Sequence, residues 1–166
     1  MAEERNAEQT MKNYLQGKDA INQYPLYRYR DIDVNGFYGF SLFPADLGKA
    51  GEILFLAGDN VVIRGGSSDD FKFLMARLIL SETNLTIDKF ALLYSRLFLF
   101  RRSVILNKET DIDFRGKEAF FEDIFTQPVF QQDAQGIKFS CWMLDTDKFE
   151  PYKINGTISL KGEISA

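Results

Sequence analysis

The stretch from Gly65 to Phe100 constrains the fold more than any other, because it reads as two consecutive amphipathic helices whose apolar faces must be covered. In the first, Phe71, Leu74, Met75, Leu78 and Ile79 recur at i, i+3, i+4, i+7 and i+8, one face of a helix. Ser67 or Ser68 is positioned to cap it, with Asp69 and Asp70 in the first turn, where orphan amides and the positive dipole end favour carboxylates. The second helix carries Ile87, Phe90, Leu93, Tyr94 and Leu97 on its stripe, and Thr86 is its expected cap. The spacing predicts helices over 69–80 and 87–99, packed on a sheet supplied by the flanks.

Those flanks alternate. Leu26 to Val34 and Phe37 to Phe43 are joined by Asn35-Gly36, the pair that favours a two-residue hairpin turn with positive φ at both positions. Ile53–Ala57 and Val61–Arg64 form a second hairpin around Gly58-Asp59-Asn60, and Pro44 to Gly51 reads as a loop. Further strands are expected at Val104–Leu106, at Val129–Gln132 and at Ile137–Leu144, where Cys141 lies on the apolar side. Ile154, Ile158, Leu160 and Ile164 hold one period of two, which predicts a single long strand with a bulge at Gly156. A short helix is expected over Gly116 to Phe125, and residues 1–20 read as a weakly amphipathic helix and linker with Ala7, Met11, Tyr14 and Leu15 as its stripe and Gly17 as its stop. The expectation is one α+β domain over 1–166, with a mainly antiparallel sheet of about 6–8 strands, a central helix pair and two further helices.

Composition narrows the chemistry. The chain of 166 residues has no histidine, which removes the commonest general base and metal ligand and the usual partner of a serine or cysteine nucleophile. One cysteine without imidazole cannot build a zinc site or an internal disulfide. No catalytic motif is present, so the reading leans against an enzyme and assigns no cofactor. A net charge of -4 weighs against a nucleic-acid binder, which needs a basic surface to release counterions. No apolar run approaches the ~20 residues that cross a bilayer, and the first residues are charged, so no membrane partner is expected and the cytoplasm is the expected compartment.

Three patterns carry possible chemistry. Asp31-Ile32-Asp33-Val34-Asn35-Gly36 matches the first half of a calcium loop of the EF-hand type, but position 12 falls on Leu42 where a bidentate Glu is needed, so a polar hairpin tip is the simpler reading. The pairs Asp111/Asp113 and Asp145/Asp147 could start a metal site, although acidic turns are commoner. Gly65-Gly66-Ser67-Ser68 precedes a helix as an anion cradle would, yet Asp69 and Asp70 oppose an anion.

The first hairpin has two apolar faces. Tyr27, Tyr29, Tyr38, Phe40 and Leu42 share one, while Ile32, Val34, Phe37 and Phe43 share the other with Arg28 and Arg30. The N-terminal helix is available to cover the second face, but its stripe is thin for Ile32, Val34, Phe37 and Phe43 together, so that face is read as a docking face centred on Phe37 and Phe43 with Arg28 and Arg30 at its rim. The expected function is therefore a non-catalytic protein-interaction or self-associating module, with a protein partner or a homodimer. The alternatives are a domain holding a small apolar or aromatic ligand between sheet and helices, and a metal-dependent carboxylate enzyme.

Overall fold

A computed structural model describes residues 2–17, 26–42, 53–107 and 124–165. Within them the chain is α+β, with two antiparallel sheets rather than the one expected. The residues group into two compact units, Met1–Phe71 with Arg96–Phe100, and Lys72–Ser95 with Arg101–Ala166. The expected loop after Phe43 and most of the expected helix at 116–125 lie outside the described residues.

The first unit opens with α1 (Ala2–Gly17), which carries Glu3 and Glu4 in its first turn. The strands β1 (Leu26–Val34), β2 (Phe37–Leu42), β3 (Ile53–Gly58) and β4 (Val61–Arg64) follow and pair in that order. Both hairpins close through tight turns with positive φ, 48° at Asn35 and 82° at Gly36, then 51° at Asp59 and 59° at Asn60. These match the hand of twist that two-residue hairpins require. The thin stripe of α1 is fully used: Ala7, Met11 and Leu15 are buried with Tyr38, Phe40, Leu42, Phe55 and Ala57.

The opposite face of that sheet is closed as well. Phe37, Leu54, Leu56 and Ile63 are all buried, and every position of β2 is buried on both sides. In the backbone register Arg28 pairs opposite Ser41 and Arg30 opposite Gly39, with irregularities between Leu26 and Arg28 and between Arg30 and Asp33. Ile32 sits directly over Gly39, where an added Cβ would meet its side chain at 2.9 Å.

The helix α2 spans Ser68–Leu80, and its stripe is buried at Phe71, Leu74, Met75, Leu78 and Ile79. Ser67 caps it, its Oγ accepting from the Asp70 amide at 3.2 Å. Its far end is a Schellman closure: the Thr83 amide donates to the Leu78 carbonyl and the Glu82 amide to the Ile79 carbonyl, both at 3.0 Å. Glu82 occupies the left-handed position at φ 56° that normally favours glycine.

In the second unit, α3 (Ile87–Leu93) starts at Thr86, whose side chain accepts from the Lys89 amide; it is followed by a π-helical turn over Tyr94–Phe98, whose residues from Arg96 on are grouped with the first unit. The end of that turn closes with the Arg101 amide on the Ser95 carbonyl and Phe100 at φ 56°. The sheet has β7 (Gly136–Asp145) paired with β8 (Glu150–Ile158) and, on its other side, with β5 (Ser103–Leu106) and β6 (Val129–Asp133). Phe90 lies 4.8 Å from Phe139 and 5.2 Å from Phe130, ring centre to ring centre, which seats α3 on this sheet.

One sequence expectation fails here. The long strand proposed through Ile164 stops at Ile158, and Ser159 to Glu163 turns the chain into the short β9 (Ile164–Ser165). Ser159 makes the turn, its carbonyl accepting from the Gly162 amide and its amide donating to Glu163, so Leu160 is exposed at the tip. Alternation continued across the turn by coincidence of spacing. Gly156 pairs in unbroken register with Phe139, so there is no bulge.

The strain at Glu82 gives a direct expectation. Replacing Glu82 with Gly should raise the unfolding free energy by ~0.5–1 kcal/mol, since glycine adopts the left-handed conformation without the Cβ clash, less its larger unfolded-state entropy. Urea melts of the parent and the variant check it, and no gain would contradict the closure described for α2.

Candidate binding cleft

Register places both hairpin tips of the first unit at one end of its sheet. Tyr38 pairs with Ala57, so the turn entering β2 and the turn leaving β3 are neighbours. They touch through main chain: a Cβ added at Gly58 would overlap the Gly36 carbonyl oxygen and come within 3.0 Å of the Phe37 Cα. The N-terminus of α1 lies at the same end, where the Tyr38 hydroxyl donates to Glu3 Oε2 at 3.3 Å. Burial, the charge of Asp33 and that hydrogen bond raise the Tyr38 pKa, so the phenol stays a donor.

Between the helix and the tips runs an open cleft of about 510 Å³. One wall is the α1 stripe beside its buried one, with Glu3, Asn6, Gln9, Thr10 and Asn13. The other is formed by Asn35-Gly36 and Asp59-Asn60, with Phe37 as floor. Gln9 donates to Asn13 at 2.8 Å along the helix, and Thr10 donates to the Asn6 carbonyl. Among the described residues the lining thus combines five carboxamides, a hydroxyl and two carboxylates, with no lysine or arginine. Such a surface offers donors and acceptors together and repels anions.

Of the residues expected to form a docking face, Phe37 is the one the structure brings to this cleft, and it is 1 % exposed. Its ring is buried rather than displayed. Arg28 and Arg30 lie on β1, an outer strand of the sheet, with their side chains outside the description, and Phe43 lies outside the described residues. The cleft residues themselves were missed by sequence reasoning. The available signals were the polar spacing of Glu3, Asn6, Thr10 and Asn13 and the presence of two tight turns that a meander must place at one end.

The other motifs resolve into local structure. The calcium-like segment is strand and turn, with Phe37–Leu42 paired to β1 where the second half of a loop would lie. Asp145 Oδ1 accepts from the Asp147 and Lys148 amides, and Asp147 pairs with Arg102 at 2.8 Å, which makes this acidic pair a turn. Asp111 and Asp113 lie outside the described residues. At the glycine-rich start of α2 the Gly66 amide donates to the Leu97 carbonyl and the Ser67 amide to the Arg64 carbonyl, so the cradle is filled by main chain. Among the described residues no three carboxylate or thiol groups gather as a metal site, and no helix is long and apolar enough to cross a membrane.

In the second unit, Tyr152 meets Ser103 hydroxyl to hydroxyl at 2.6 Å beneath the Arg101 guanidinium, 4.9 Å from the ring centre. Cys141 is 1 % exposed beside Met143, and burial pushes its thiol up to about 12. Compared with models of known protein families, with curated proteins and with solved structures, the chain finds no match.

Two expectations follow from burial. Phe37→Lys should destabilise by at least ~3 kcal/mol, because it puts an unpaired ammonium where a ring was packed; a melting temperature equal to that of the parent would show the ring is not enclosed. Cys141 should resist thiol reagents at pH 8 in the native state and react once urea unfolds the chain. Its folded pKa lies above the unfolded value, so the unfolded state loses its proton first; stability should be full below about pH 8.5 and fall as pH rises toward 12. Rapid native labelling, or a melting temperature that climbs between pH 8.5 and 11, would contradict the buried neutral thiol.

Proposed function

We propose that this chain is a non-catalytic binding module that engages a protein partner, or a second copy of itself, at the hairpin-tip end of its first unit. The observation that carries the reading is the cleft: the carboxamides of Asn6, Gln9, Asn13, Asn35 and Asn60 converge on about 510 Å³. Carboxamides bind through hydrogen bonds without titrating near neutral pH, which suits recognition rather than proton transfer. Arg28, Arg30 and Phe43 remain proposed as further partner contacts, and the cytoplasm remains the proposed compartment.

A second reading, a small apolar ligand, is favoured by one feature. Phe100 is 52 % exposed and held at φ 56° at the mouth of a separate cleft of about 640 Å³, beside Tyr14, Ile53 and Arg64. A bulky residue kept in that backbone conformation with its ring in solvent is unusual.

Site-specific photo-cross-linking separates the readings. A photoreactive side chain placed at position 13 should yield a discrete protein adduct in extracts of the native host, while the same group at position 8, on the helix outside the cleft, should not. Equal labelling at both positions, or none at 13, would refute a partner at this end. A low-mass adduct at position 100 alone would move the function to the second cleft.

A further inference from the structure

Resting on the reading of the cleft as a partner site, we infer that its occupant is an extended, basic stretch of another polypeptide. Length supports this first. Glu3, Asn6, Thr10 and Asn13 follow one another along a helix stripe, and ten residues of rise cover about 15 Å. An extended chain advances about 3.3 Å per residue, so four or five residues fit alongside.

Chemistry supports it second. Each carboxamide has one acceptor and one donor group, the same complement that a peptide main chain presents. A saccharide would share that complement, but the apolar faces of sugars commonly stack on an exposed aromatic ring, and the aromatic residue of this lining among the described residues, Phe37, is buried. Charge decides the side chains of the occupant. Glu3 and Asp59 both line the cleft and, among the described residues, no cationic side chain does, so lysine or arginine is drawn in and acidic segments are disfavoured.

The walls are held before binding. The backbone contact between Gly58 and Gly36 joins the tips, and the buried stripe of α1 holds the helix, so little ordering remains to be done by the partner.

The test uses the full chain and three capped peptides that alternate Thr with Lys, with Gln or with Glu, titrated by calorimetry at about 0.15 M ionic strength. The Lys peptide should bind saturably and about tenfold more tightly than the Gln peptide, and the Glu peptide should not bind. Asn6→Ala combined with Asn13→Ala should leave the melting temperature equal or higher, since alanine is the better helix former, and weaken the Lys peptide at least fivefold. Equal affinity for the Lys and Gln peptides overturns the basic chemistry and leaves a peptide-binding module standing. Equal affinity for the Glu peptide, or binding unchanged in the double variant, overturns the inference. A parent dimer that becomes monomeric in the double variant, read by light scattering, assigns the cleft to a second copy and overturns it too. If no peptide binds while the cross-link at position 13 still forms, this inference alone fails; if the cross-link is also absent, the partner reading fails with it.

Discussion

Three side chains, Ala7, Met11 and Leu15, fix where α1 sits on the four-stranded sheet, and the geometry of the cleft depends on that seating. A helix of 16 residues with Asn, Gln and Thr on its outer faces has little tendency to persist alone in water. Burial of Met11 and Leu15, each contributing about 1.5–3 kcal/mol of transfer free energy, supplies what propensity does not. Once that stripe is docked, the helix cannot rotate without exposing it. Glu3, Asn6, Gln9 and Asn13 are then aimed past the sheet toward the hairpin tips.

The tips are constrained by a different rule. Antiparallel register between β2 and β3 brings Gly58 beside the main chain of Gly36 and Phe37, closer than any Cβ allows. Tight turns with both central residues at positive φ bring Asn35 and Asn60 to the rim on short, stiff loops. Helix seating is apolar and strand register is hydrogen-bonded, so the two walls are fixed independently. Binding at this end, as proposed, therefore needs no moving part of its own.

Local features were legible in the sequence because their physics is local. The caps at Ser67 and Thr86, the turn at Asn35-Gly36 and the stripes of α2 and α3 each follow from residues a few positions apart. Non-local features were not. Nothing in the alternation of Leu26 to Phe43 says which part of the chain closes its second face, and Phe37 proved buried within the chain. The division into two sheets and the reversal at Ser159 depend on pairing partners far along the sequence, where a period of two carries no information. The cleft fell between these cases, since its residues are polar and show as a spacing, while their convergence is set by tertiary register.

The proposed cleft requires α1 to lie on the sheet with Ala7, Met11 and Leu15 inward, and nuclear Overhauser contacts test that most directly. The Met11 methyl should show contacts to the rings of Tyr38, Phe40 or Phe55, the members of its buried cluster, and the amides of α1 should exchange slowly. A Met11 methyl without aromatic neighbours, together with amide exchange over Ala7–Leu15 as fast as in a free peptide, would remove one wall of the cleft and with it the proposed site.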